Sequence, residues 1–323
     1  MKELKIFAFI ELIIIISLLV LLYFSYTNNF KKTEEFSLLS TRISSGVLPA
    51  KSMLIFNFES LKKDIQNYIT ANNLNTSVYI LNLRDGVSVG INEDTSYKAF
   101  SLNKLPVAIA ILKKVEDGNL LLNSQLTILP EDRDPTSGNL YLINATNISV
   151  KESLRYMLSE SDNTALDVLM HQISLKDLQY LSAYLDYYNK DINYTKKLAD
   201  NVFEISPRST GNIFLSLYLS TILKPENSQL ILGDLANNSF DIHNFSGISK
   251  DVIISHKYGE YFVNKRKFFH DCGIMYIDDS RIFYCVMTQD INKEQSHIVV
   301  GTIANKTYNF VIDSKLKNKN LTV

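Results

Sequence analysis

Strand-like sequence stands on both sides of a long helical block, and that arrangement limits the fold more than any other feature of the chain. Residues 76–83 and 86–92 flank Arg84-Asp85-Gly86 and read as a β-hairpin. Near the other end, residues 251–256, 268–277 and 282–288 alternate or run apolar, with a turn centred at Asp279-Ser280. Between these groups, residues 150–223 carry helical periodicity, divided as 150–160, 163–173, 175–185 and 209–223. Further helices are expected at 60–72, 101–117 and 293–313. Distant strands of this kind pair only if the C-terminal segment returns to the N-terminal hairpin. The expected fold is therefore α/β of the α+β kind: an antiparallel sheet flanked by helices, with an inserted all-helical lobe and a cleft at the join.

The first residues follow a different rule. Ile6 to Tyr26 is almost wholly apolar and broken only by Glu11, long enough for a helix to cross a ~30 Å hydrocarbon core. No small-x-small cleavage pattern follows Tyr26, which favours an uncleaved anchor over a removed signal peptide. The expected division is a membrane anchor at 1–27, a polar tether at 28–57 and one domain at 58–323. A net charge of −1 gives no basic field for a nucleic acid backbone. The five histidines form no His-Glu-x-x-His pattern and two cysteines cannot close a four-ligand zinc site, so neither metal nor organic cofactor is expected. Cys272 and Cys285 fall on the two arms of the last hairpin, at a diagonal offset for a turn centred at Asp279-Ser280. Their apolar neighbours favour two buried free thiols over a bridge.

Three short strings carry the chemistry. Ser101-Leu102-Asn103-Lys104 supplies a hydroxyl with an amine three residues on, at the start of a very apolar helix. Helical spacing puts Lys104 on the Ser101 face, and a helix start favours developing negative charge. Pro106 fits a helix beginning close to Ser101. Ser161-Asp162-Asn163 places a second hydroxyl beside a carboxamide at the next helix start, where Ser161 or Asp162 would also serve as a cap. Lys257-Tyr258-Gly259 ends an apolar strand, and the glycine permits close backbone approach. Together these residue types are what an active-site-serine acyl transferase needs, and each also has a plain structural reading as a helix cap or a solvated strand lysine. Ser101 is the nucleophile, Lys104 its general base, Ser161 the donor of a proton to the leaving nitrogen, and Lys257 the source of positive potential.

The ordered set resembles the penicillin-binding protein and β-lactamase superfamily, and most closely the class A β-lactamases. Ser161-Asp162-Asn163-Thr164-Ala165, Ser206-Pro207-Arg208 before a helix, and His270-Asp271-Cys272-Gly273 are similar to the corresponding stretches of that family, and the likeness covers about residues 58 to 315. The resemblance implies an acyl-enzyme on Ser101, formed from a β-lactam or a related amide. It implies an oxyanion hole from the backbone N–H groups of Ser101 and Glu260, and substrate contacts from Asn163, Tyr258, Gly259 and Glu260. It also implies a monomer with its domain outside the cytoplasm, where peptidoglycan-derived acyl donors and β-lactams lie. Two departures stand out. Tyr258 occupies the place of the family's threonine or serine, whose hydroxyl grips a substrate carboxylate. Between Asp186 and Pro207 there is no Glu-x-x-Asn string to activate the deacylating water; Asp186 and Asp200 do not align with it. The alternatives are therefore a D,D-peptidase or slow acylator of the penicillin-binding type, and a non-catalytic cell-wall protein retaining the fold.

Overall fold

The computed structural model describes residues 12–25, 36–40, 57–174, 176–178, 181, 204–263 and 266–321. In chain order the domain runs α1 (Glu59–Ala71), β1 (Thr76–Asn82), β2 (Ser88–Ile91), β3 (Tyr97–Lys98), a 3₁₀ turn (Phe100–Asn103), α2 (Lys104–Glu116), β4 (Gln125–Thr127) and β5 (Asn147–Ser149). It continues with α3 (Val150–Ser159), α4 (Asn163–Met170), β6 (Glu204–Ile205), α5 (Pro207–Tyr218), α6 (Pro225–Leu235), α7 (His243–Ser246), β7 (Ile253–Val263), β8 (Arg266–Ile277), β9 (Ser280–Gln289) and α8 (Lys293–Leu321). Five strands form one antiparallel sheet in the order β2-β1-β9-β8-β7, so the C-terminal strands do return to the N-terminal hairpin.

Side chains alternate across this sheet and build a core on each face. Val78, Ile80, Met275, Tyr284 and Val286 meet Leu61, Ile65 and Ile69 of α1 and Val299, Val300 and Ile303 of α8. On the opposite face Tyr79, Leu81, Ile274, Phe283 and Met287 meet the helical lobe. Helix α2 runs through the middle of that lobe, with every residue from Lys104 to Leu112 buried. A helix apolar all round has no solvent face to offer, and its single early cation is carried inside with it. Pro106, third in α2, sits where its missing N–H would lack an intrahelical partner anyway. The helix stops at Gly118, whose φ of +74° supplies the left-handed turn.

Several expectations need correction. Strand β7 runs on to Val263, so Lys257-Tyr258-Gly259 lies mid-strand rather than at a strand end. Helices α6 and α7 lie in a stretch with no helix expected, and α8 extends to Leu321. Of the helix expected at 175–185, residues 176–178 and 181 are helical and the remainder lie outside the described residues, as do Asp186 and Asp200. Residues 12–25 form an exposed helix, but among the described residues no helix is long and apolar enough to cross a membrane. The expected span is therefore not supported, and residues 6–11 of the run lie outside the described residues. Within the expected tether, Phe36, Leu38 and Leu39 are buried in the helical-lobe core. Ser40 N–H donates to the Tyr218 carbonyl at 2.9 Å, and Tyr276 donates its hydroxyl to the Leu38 carbonyl at 2.9 Å.

The cysteines are bonded to each other, where free thiols were expected. The hairpin turn falls at Asp278-Asp279, with Ile277 opposite Ser280, which places Cys272 directly opposite Cys285. A turn one residue earlier than expected converts the diagonal offset into a facing pair.

Candidate active site

The 3₁₀ turn Phe100–Asn103 carries Ser101, so the serine precedes the α-helix rather than opening it. The turn is closed by Leu102 N–H donating to the Ala99 carbonyl at 3.0 Å. Phe100 adopts φ +46°, a left-handed conformation that costs a bulky L-residue of the order of 1–3 kcal/mol. Its ring is held in return: it stacks on Tyr261 with centroids 5.2 Å apart and touches Phe268 at 5.4 Å. Below it, His270 Nε2 donates to the Lys98 carbonyl at 3.1 Å, and burial lowers the imidazole pKa to about 4, so the ring is neutral.

Lys104 begins α2 and points at both serines. Its Nζ lies 3.3 Å from Ser101 Oγ and 3.3 Å from Ser161 Oγ. It also donates to the Ser161 carbonyl, and to Asn163 Oδ1 at 2.7 Å. The side chain is 1% exposed. Burial lowers its pKa to about 7, with Asp162, Asp134 and Asp167 pulling the other way. A lysine of this kind exchanges its proton near neutrality, which suits it to take the Ser101 proton.

Ser161 is held by the turn between α3 and α4. It has φ +54°. Asp162 caps α4: its Oδ1 accepts from Ala165 N–H at 2.8 Å and its Oδ2 from Leu140 N–H at 2.7 Å. A second loop, absent from the sequence reading, completes this wall. Ser137 donates its hydroxyl to the Ser161 carbonyl at 2.8 Å, and Asn163 Nδ2 donates to Thr136 Oγ1 at 2.8 Å. Asp134 Oδ1 accepts both Thr136 N–H, at 2.7 Å, and the Thr136 hydroxyl. The signal for this loop was present as Asp134-Pro135 and Ser137-Gly138, turn-forming pairs whose place beside Ser161 no local pattern indicates.

Strand β7 forms the opposite wall, at the edge of the sheet. A Cβ on Gly259 would stand 2.9 Å from the Ala99 carbonyl oxygen and 3.3 Å from Ser101 N. Only glycine lets this strand lie so close to the serine turn, and Glu260 follows one residue on, its carboxylate paired with Lys293 at 2.9 Å. Lys257 has no exposed surface. Burial first, then the Lys104 charge, pushes its pKa well below the ordinary lysine value, against Asp271 and Glu260. Among the described residues its hydrogen bond runs to the Tyr258 carbonyl, at 3.1 Å. Tyr258 packs its ring against Phe240 and Phe269. Behind the strand, Asp271 accepts from His256 Nδ1 at 2.7 Å and from the Tyr284 hydroxyl, a buried network on the far face of the sheet.

The structure thus brings Ser101, Lys104, Ser161 and Asn163 into direct contact and sets Gly259 against them. Among the described residues, Lys257 makes no hydrogen bond to either serine. Comparisons with known proteins bear on the family and the fold. The model of a family described as the beta-lactamase enzyme family matches residues 60–311. Beta-lactamase VEB-1 of Pseudomonas aeruginosa is 23% identical over 281 residues, covering 79% of this chain and 91% of that protein. A solved structure titled "Structure of PBP-A" superposes with a TM-score of 0.70 at 22% identity, covering 79% of this chain and 97% of that one. The TLA-3 extended-spectrum beta-lactamase superposes with a TM-score of 0.71 at 18% identity, covering 79% and 100%. At such identities the structural likeness speaks for the fold.

Proposed function

Because this chain belongs to the beta-lactamase enzyme family, we propose that it is an active-site-serine hydrolase that forms an acyl-enzyme on Ser101 by opening a β-lactam or related amide bond. The observation that carries this reading is the position of Lys104 Nζ, 3.3 Å from both serine hydroxyls with its pKa lowered to about 7. Neutral Lys104 takes the Ser101 proton as Oγ attacks the carbonyl carbon. The backbone N–H groups of Ser101 and Glu260 receive the oxyanion, a contribution on the order of 3 kcal/mol for each such donor. Ser161 passes a proton from Lys104 to the leaving nitrogen, the C–N bond breaks, and Asn163 orients Lys104 and the substrate amide. Lys257 adds positive potential to the cleft.

A second reading, a slow acylator of the penicillin-binding type, is favoured by Tyr258 standing where a strand hydroxyl would be and by the likeness to PBP-A. One experiment separates these readings from that of a non-catalytic cell-wall protein. The full-length chain is incubated with nitrocefin and with a fluorescent penicillin. Rapid nitrocefin turnover supports the hydrolase, and stable label lost in Ser101→Ala supports the slow acylator. A folded protein that neither turns over nitrocefin nor takes the label sinks both. We also place the domain outside the cytoplasm, anchored by the apolar run that begins at Ile6; the Cys272–Cys285 bond supports an oxidising compartment.

A further inference from the structure

His270 stands in β8 directly opposite Gly259 of β7. Residues two apart on a strand share a face, so His270 points with Cys272 toward the helical lobe and the serine turn. It is 0% exposed. Its Nε2 meets the Lys98 carbonyl at 3.1 Å, and a carbonyl only accepts, so Nε2 carries the proton. Burial keeps the ring neutral, which leaves Nδ1 a bare lone pair. That atom is buried with no hydrogen-bond partner among the described residues. The rings of Tyr97, Phe100 and Phe268 surround the imidazole, with centroids 5.3, 6.1 and 6.2 Å away. An apolar side chain would suit this box better, since it would lose no water and strand no acceptor. What the imidazole adds is the single bond to Lys98.

That bond falls at a joint. Lys98 belongs to β3, which pairs with β6 in a two-stranded sheet separate from the five-stranded one. Ala99 comes next, sets its carbonyl against Gly259, and accepts from Leu102 N–H at 3.0 Å to close the turn. The disfavoured backbone of Phe100 and then Ser101 follow. His270 therefore holds the carbonyl three residues before the serine, and Gly259 bounds the one after it.

Resting on the acyl-transfer reading above, we infer that His270 is a positioning residue for Ser101: through the Lys98 carbonyl it ties the serine turn to the main sheet and so sets where the nucleophile and its N–H lie relative to β7. Its bond ends on the backbone of β3 and on no reacting atom. Its effect therefore falls on the acylation step and not on substrate binding.

The test is single-turnover acylation of the full-length chain by a fluorescent penicillin over a range of concentrations, which separates the saturating rate from the half-saturating concentration. His270→Phe keeps a ring against Tyr97, Phe100 and Phe268 but removes the donor. Its saturating rate should fall about ten- to a hundredfold, with the half-saturating concentration within about threefold of wild type. His270→Gln places an amide N–H at the reach of Nε2 and should recover most of the rate. His270→Leu takes the place of the phenylalanine variant if that one does not fold. A folded Phe or Leu variant that acylates at the wild-type rate overturns the role, as does a loss that Gln does not relieve or one confined to the half-saturating concentration. Proton–nitrogen correlation spectra of the wild-type imidazole need no variant: the neutral Nε2–H form is expected from pH 6 to 8, and the Nδ1–H form overturns the bond. If the folded wild type neither takes the label nor turns over nitrocefin, the acyl-transfer reading fails, while the spectra still report on the tie to Lys98.

Discussion

The rings of Phe100 and Tyr261 stack with their planes 10° from parallel and join the residue before the serine to strand β7. Phe100 is in the left-handed region, so the serine turn holds a conformation its own backbone disfavours. The stack is the compensation, and an offset aromatic pair contributes about 0.5–1.5 kcal/mol beyond its buried area. Tyr261→Ala should therefore let the turn relax away from β7 and slow acylation of Ser101 about tenfold. Tyr261→Phe should restore the rate, and single-turnover labelling of both variants is the measurement. Equal rates in wild type and the alanine variant would refute the role.

Gly259 gives a sharper case. An added methyl would meet the Ala99 carbonyl oxygen at 2.9 Å, and that atom is backbone, which cannot swing aside. Gly259→Ala should push β7 off the serine turn and separate the two expected oxyanion donors. Loss of one such donor costs about 10²–10³ in rate, and acylation should fall by that order while circular dichroism keeps its native form. An alanine variant that acylates within a factor of about three of wild type would place the oxyanion hole elsewhere.

Lys104 sets the pH dependence. Its pKa of about 7 means the ammonium predominates below neutrality and the free base above it. The acylation rate should rise with pH through about 7. Asp167 favours the charged form, so Asp167→Asn lowers the Lys104 pKa further and moves the rising limb to lower pH. Rates of Ser101 labelling from pH 5 to 9 in both proteins check this; a limb shifted upward in the variant contradicts the sign.

Much of the site was legible because it is local. Ser101 and Lys104 share one turn, Ser161 and Asn163 share another, and hydrophobic periodicity set where those turns begin. What escaped depends on packing between distant residues. The place of Tyr258 is decided by Phe240 and Phe269, eighteen and eleven residues away, so no strand pattern tells whether it faces substrate or core. The pairing of Cys272 with Cys285 turned on a single residue of hairpin register, fixed by Asp278 accepting φ +49°. Phe36 to Ser40 has three apolar side chains in a polar run, too few to show a period, and their burial is set by the Tyr218 and Tyr276 surface they meet.

Burying Lys104 also shapes stability. Its pKa is about 7 in the folded chain against an ordinary value of 10.5, so between those limits the unfolded chain binds more protons than the folded one. Stability therefore rises with pH across that window and this contribution is flat below it. Lys257 is depressed as well and acts in the same direction. Lys104→Met removes one of the two titrations. Urea unfolding at intervals from pH 7 to 10 should show a smaller rise of stability with pH in the variant than in the wild type, by up to about 1.4 kcal/mol per pH unit. Lys104→Met also leaves Asn163 Oδ1 and the Ser161 carbonyl without their donor. Its absolute stability is thus set by two opposing effects, and the slope is the diagnostic quantity. A slope equal to that of wild type would mean that Lys104 stays protonated in the folded protein through pH 10, and it would then be unable to take the Ser101 proton near neutrality.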